Sequence, residues 1–304
     1  MTESLFCRID RIVAGEGIVA SDIAIRTRSL QTLASEQPVC EKIARVFDRA
    51  SSRVTLVTGF VVPGLLPQGE NDGPLGTVAL ARALHLCGHR PTVLVEPVLL
   101  ETTRWLAAEL GCAIPIHALD PADRGAHVAG TDIGVAVEKP GRNECGWMHT
   151  FDGRRIVGGS IAVDDLFREL RDSGRMTIGI GDRGNEVGFG SLREEILRLV
   201  PEASSCGCGC GGGLVSTTET SIVYPAAVSN WGAYGVAAAL GMLCDCREAI
   251  VQPDEERRML RIAAVRGCRD GVKRRGAYGV DGISGEDSVR VVAELAEVAE
   301  AYRQ

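Results

Sequence analysis

The chain has 304 residues, 45% hydrophobic and 24% charged, with 37 glycines and only three Trp, four Tyr and six Phe. This composition belongs to a folded globular protein and excludes collagen-like, low-complexity and mainly disordered chains, and the length suffices to bury a core without a disulfide or metal staple. Against 40 acidic residues stand 33 basic ones, a net charge of -7, which argues against nucleic acid as a partner and leaves any anionic ligand to local groups.

The 11 cysteines are scattered rather than arrayed as a disulfide framework. The first residues carry Glu3, Asp10 and Glu16 and no apolar core, unlike a secretory or transit signal, so the cytoplasm is the expected location. The longest uncharged stretch, residues 220 to 244, is interrupted by Pro225, Ser229 and Asn230. It reads as a buried strand, a turn and a buried helix, with no membrane as partner.

In chain order, residues 1–53 read as an N-terminal helical and connective segment, with a helix over 39–50. From Val54 the pattern changes to an α/β domain running to residue 304. The run VTLVTGFVV predicts a strand, followed by a Gly/Pro-rich loop and the helix TVALARALHLCG. PTVLVEP, AIPIHAL, DIGVAVEKP, RMTIGIGD and ETSIVYPAAVS read as further strands. Helices are predicted in LLETTRWLAAELG, VDDLFRELRDSG, REEILRLV and WGAYGVAAALGMLC, and near 253–267 and 285–303. Continuous apolar strands alternating with helices predict a doubly wound, mainly parallel sheet with helices on both faces, a three-layer sandwich.

In such sheets ligands bind beyond the carboxyl ends of the strands, and four polar, glycine-rich loops fall there: 70–76, 138–147, 179–190 and 228–235. In ENDGPLG, Glu70, Asn71 and Asp72 sit beside a helix start, where they either cap the helix or help to bind substrate. In EKPGRNECGW, Glu138 ends a strand and Arg142 has the fork suited to a carboxylate, or else forms a surface ion pair. In GIGDRGNEVGFG, the glycines 179, 181 and 184 satisfy G-x-G-x-x-G. A dinucleotide fingerprint needs a helix starting at those glycines, whereas here Asp182, Asn185 and Glu186 fill the turn, so no nucleotide is expected. Those three read as contacts for a small polar substrate or a cation, or as a solvated turn. Ser229 and Asn230 complete the set from VSNWGAYG. Cys206, Cys208 and Cys210 are too closely spaced for a C-x-x-C zinc motif and have no nearby His. They read as incidental thiols of a flexible loop, with zinc requiring ligands from elsewhere in the chain. His149, beside Trp147, is the histidine nearest a candidate site.

Taken together and in order, VTGFVVPG with ENDGPLGTVALARAL, VAVEKPGR, GIGDRGNEVGFG, VSNWGAYGVAAAL and RGCRDGVKRRGAYGVDG resemble the D-glutamate cyclase-like C-terminal domain family. Lys273 stands where a small residue is common in that family, and the Cys/Gly tract differs from its usual segment. The resemblance implies a lyase that dehydrates D-glutamate, or a related acidic amino acid, to 5-oxo-D-proline. It also implies a separate hydratase-like partner domain, with a homo-oligomer as the other arrangement. For that reaction Glu186 or Asp182 would be the base, Asn185 would hold the oxyanion and Arg142 a substrate carboxylate. A divalent cation on Asp182 and Glu186, with Asp72 or Glu138, is the other electrophile. A non-catalytic sensor of small carboxylates and a nucleotide-dependent enzyme using GIGDRG are the rival readings.

Overall fold

The computed structural model describes residues 3–48 and 51–303. Three helices lead: α1 (Leu5–Val13), α2 (Ser21–Ala34) and α3 (Val39–Val46). The helix expected over 39–50 thus ends at Val46, and its last two positions, Arg49 and Ala50, lie outside the described residues. There follow β1 (Arg53–Thr58), α4 (Pro74–Leu86), β2 (Arg90–Val95), α5 (Leu100–Glu109), β3 (Ile116–Ala118), α6 (Arg124–Gly130), β4 (Ile133–Val137), α7 (Asp164–Asp172), β5 (Met176–Gly181), α8 (Arg193–Leu199), β6 (Ile222–Pro225), α9 (Ser229–Leu243) and α10 (Pro253–Val265). A two-stranded hairpin of β7 (Gly279–Val280) and β8 (Ile283–Ser284) precedes the last helix, α11 (Gly285–Tyr302).

The first six strands form one parallel sheet in the order β3-β2-β1-β4-β5-β6. Side chains alternate across it as the period of two requires. Leu56, Val93, Val95, Val135, Val137, Ile178 and Ile180 join the main core beneath α4, α9, α10 and α11. Val57, Leu94 and Ala136 face the other way, against Phe167 and Leu170 of α7, while Val223 meets Leu192 and Ile196 by α8. Helices therefore cover both faces, and the expected three-layer α/β sandwich is what forms. No helix among the described residues is long and apolar enough to cross a membrane; residues 220 to 244 contribute β6, a turn and α9.

The leading helices share the main core, with Ile9, Val13 and Ile43 fully or almost fully buried in it. Asp10 fastens them. Its carboxylate accepts the N–H groups of Val39 (2.6 Å) and Cys40 (3.1 Å) at the start of α3 and the Tyr224 hydroxyl (2.7 Å) of β6. Gln31 Nε2 donates to the carbonyls of Asp10 and Pro225, tying α2 to the same strand.

Candidate active site

The register aligns Thr58 with Val95 and Val137, and Val137 with Ile180, so Gly59, Glu96, Glu138 and Asp182 leave the sheet on one edge. Chain connections diverge between β1 and β4, the switch point at which such sheets bind ligands. Beneath it, Lys139 and Glu96 form a fully buried ion pair. Lys139 Nζ also donates to the Gly59 carbonyl (3.2 Å), and Glu96 Oε1 accepts from Ile161 N (2.8 Å). The pair joins the ends of β1, β2 and β4.

Two of the predicted loops cap each other's helices. Asp72 accepts the N–H groups of Ser229 (2.9 Å) and Asn230 (2.7 Å) at the start of α9. Asn230 Oδ1 in return accepts those of Gly73 (2.9 Å) and Gly76 (2.7 Å) at the start of α4. Asn230 Nδ2 donates to the Asn71 carbonyl, and Asn71 Nδ2 to that of Gly279. Close approach of the helices makes this geometry reachable: a Cβ on Gly76 would lie 2.7 Å from Asn230 Cα. In a dinucleotide-binding sheet the helix after β1 offers its free N–H groups to a pyrophosphate. Here Asn230 occupies that position, surrounded by carboxyl groups, and the helix after β5 starts at Arg193 rather than at the glycines. Both features disfavour a phosphate ligand.

Above these caps lies a cavity of about 230 Å3, lined among others by Glu70, Glu138, Asp182, Arg183, Asn185 and Asp281. This is below the roughly 300–1,000 Å3 of pockets for drug-sized ligands and suits a smaller molecule. Glu138 occupies the left-handed region (φ 45°), a conformation costing a non-glycine residue about 1–3 kcal/mol. Its N–H still bonds the Ile180 carbonyl, and its Oε2 accepts the Ser229 hydroxyl (2.5 Å). The cavity is also lined by the guanidinium groups of Arg274, which is paired with Asp152, and of Arg183, with Nε 3.1 Å from Asp182 Oδ2 and Nη2 3.3 Å from Asp281 Oδ2. Burial drives the carboxyls of Glu70, Asp72, Glu138 and Asp182 well above the ordinary carboxylate range. Neighbouring carboxylates add to the effect, while Arg183 opposes it at Asp182. Such crowding favours protonation of these carboxyls and couples their titrations. Two sets of three, Asp72/Asp182/Asp281 and Glu138/Asp182/Glu186, each bring an oxygen per residue within 4.8 Å of the others, an all-oxygen donor set suited to a hard divalent cation.

Residues 16–296 match the model of the family described as D-glutamate cyclase-like, C-terminal. The chain belongs to that family. It is also 26% identical over 198 residues to the mitochondrial D-glutamate cyclase of Homo sapiens, covering 59% of this chain and 31% of that protein. The chain therefore spans about a third of the length of this relative. A solved structure of exonuclease RecJ bound to manganese aligns with 87% of this chain and 63% of its own, at 13% identity and a TM-score of 0.37, too distant a likeness to carry an argument.

Within this member of the D-glutamate cyclase-like family, the expected residues fall into four places. Glu70, Glu138, Asp182 and Asn185 line the cavity. Asn71, Asp72, Ser229 and Asn230 form the buried floor just described. Glu186 is spent on its own turn: Oε1 accepts from Asp182 N (3.2 Å) and Arg183 N (3.0 Å), and Oε2 from Gly184 N (2.7 Å). Asn185 donates from Nδ2 to the His149 carbonyl (3.0 Å), and its buried Oδ1 has no protein partner, so the free atom accepts rather than donates. Arg142 is not brought to the cavity. Its N–H bonds Asp164 and its guanidinium Asp165, in a separate hollow beside Leu119 and Ile161, away from the acidic cavity.

Arg183, Asp281 and Asp270 were not singled out by the sequence. Asp270 is fully buried and accepts the N–H groups of Val272, Lys273 and Gly282, shaping the tail that carries Asp281 into the cavity. The D-G pair between apolar residues in VDGI is a hairpin signal that could have located Asp281.

Raised carboxyl pKa values have a consequence for stability. The ordinary values are 3.8 for Asp and 4.5 for Glu. With higher values in the fold, the folded chain keeps protons that the unfolded chain has released. Stability is therefore greatest below those values and falls as pH climbs towards the raised ones. In chelator-treated protein, Glu70→Gln is expected to flatten the decline of Tm between about pH 5 and 8 and to raise Tm at the upper end. Parallel wild-type and variant curves would refute this.

Proposed function

We propose that this chain is a D-glutamate cyclase-like enzyme. It would dehydrate an acidic amino acid, D-glutamate in the first instance, to its five-membered lactam. The α-amine attacks the γ-carboxyl carbon, a C–N bond forms, a C–OH bond breaks, and water carries away the hydroxyl with one proton. Such a reaction needs a base for the ammonium proton and an acid for the departing oxygen. The observation that carries the reading is a small cavity in which buried carboxyls with raised pKa values crowd together beside Arg183, with Arg274 also in its lining.

In this reading Asp182 takes the ammonium proton, and Glu138 or Glu70, in its protonated form, delivers one to the leaving hydroxyl. The ammonium is oriented by Asn185 Oδ1. Arg183, whose Nη1 takes part in neither contact with Asp182 or Asp281, holds the α-carboxylate. Glu186 keeps the turn that presents Asp182. A divalent cation held by the carboxylate sets around Asp182 would polarise the γ-carboxyl. The test is direct: purified protein incubated with D-glutamate and, separately, L-glutamate is assayed for 5-oxoproline with and without divalent cations. Formation from D-glutamate is the expected result. A rise in Tm with D-glutamate but no product would instead make the chain a binding protein.

A further inference from the structure

The structure brings together four residues that the sequence left apart. His149 Nε2 lies 3.2 Å from Cys208 Sγ, and Cys206 Sγ lies 3.2 Å from Cys208 Sγ and 3.3 Å from Cys210 Sγ. All four ligand atoms fall within 4.8 Å of one another. In an extended chain residues two apart share a face but lie about 6–7 Å from one another, which would spread these thiols along the strand. The intervening glycines coil the segment instead, with Gly209 at φ 74°, so the thiols turn inward towards His149.

We propose that His149, Cys206, Cys208 and Cys210 form a binding site for one zinc ion. Three thiolates and an imidazole are a soft, four-donor set of the Cys3His type. With Zn–S near 2.3 Å, a tetrahedral site separates its sulfurs by about 3.8 Å, so an outward adjustment of roughly half an ångström admits the ion. Binding replaces three thiol protons with the metal, and the protons go to solvent. A supporting shell is already in place. Asn143 Nδ2 approaches Cys210 Sγ (3.4 Å) and donates to the Gly213 carbonyl (2.8 Å), while its Oδ1 accepts from Cys145 N and Trp147 N.

The site bridges two loops, one of which walls the acidic cavity. Thr150, Phe151 and Asp152, directly after His149, line that cavity. Gly207 N bonds the Gly153 carbonyl (3.0 Å), and the His149 carbonyl holds Asn185. Zinc here would pin the 205–213 loop to this wall.

The test uses the full chain, purified under reducing conditions without added chelator, with metal content read by mass spectrometry. The expected result is one zinc per chain in wild type and in a Cys244→Ser/Cys246→Ser control, and its loss in Cys206→Ser/Cys208→Ser/Cys210→Ser. Cobalt exchanged into wild type should give thiolate-to-metal charge-transfer bands, which a carboxylate site cannot produce. His149→Ala, which leaves the tract intact should the triple variant fail to fold, is expected to weaken zinc at least about 10-fold against a chromophoric chelator. Zinc retained by the triple variant, cobalt spectra without thiolate bands, or an unweakened His149→Ala would overturn the proposal. So would a wild type that holds a disulfide in the tract and takes up no zinc after reduction.

Discussion

Asp182→Asn is expected to lower turnover of D-glutamate by about 100- to 10,000-fold, the range for loss of a general acid–base group, while the protein stays folded. Asparagine reproduces the shape of Asp182 and can still accept from Arg183 Nε, but it cannot take up a proton. Removing one carboxyl from a crowded buried cluster also relieves repulsion, so Tm should hold or rise. Glu186→Gln should behave differently. One carboxylate oxygen becomes an NH2 group facing N–H donors of its own turn, and the first effect is a lower Tm. The two variants thus separate proton transfer from turn-holding. Should Asp182→Asn keep turnover within about threefold of wild type, the base assignment fails. Added Mn2+ or Mg2+ restoring part of the lost activity would instead mark Asp182 as a cation ligand.

Most of the sheet was legible because its strands are buried on both faces and read as unbroken apolar runs. The boundaries were less so. VTLVTGFVV continues past the end of β1, since Phe60 and Val62 are apolar for another reason: they pack with Leu66 and Ile156 in a small separate cluster. ETSIVYPAAVS shrinks to Ile222–Pro225. Helix α6 escaped notice because its seven residues bury no side chain and so carry no periodic signal.

The location of the site was legible from the same logic, as polar loops after parallel strands must gather on one edge. The direction of individual side chains was not. Arg142 and Arg183 both adjoin a glycine, Gly141 and Gly184, in polar loops, and nothing local tells which of them turns into the cavity. Pairing of the two loops, with Gly141 N on the Asn185 carbonyl and Arg142 N on Asp164, sends Arg142 outwards. Arg183 instead meets Asp281, 98 residues further on. His149 and the cysteine tract likewise meet only through a contact some 59 residues apart.

The largest expected loss of stability comes from Asn230→Ala. Its amide is fully buried and makes three hydrogen bonds, accepting from Gly73 N and Gly76 N and donating to the Asn71 carbonyl. Gly73 N keeps Asp72 Oδ1, but alanine leaves the Gly76 N–H and the Asn71 carbonyl without partners where water has little access. Each orphaned group costs about 1–3 kcal/mol, so the sum is on the order of 3–5 kcal/mol, a large part of the roughly 5–15 kcal/mol that keeps a protein folded. At about 2–4 °C per kcal/mol for chains somewhat shorter than this one, Tm should fall by on the order of 10 °C. Ser229→Ala is the control, because it removes a single hydrogen bond to Glu138 and leaves both helix caps in place; its loss should be about 1 kcal/mol. Thermal denaturation followed by circular dichroism measures both. A drop for Asn230→Ala no larger than that for Ser229→Ala would mean that the reciprocal caps do not hold α4 and α9 together, and that the floor of the cavity rests on the packing around Gly76 instead.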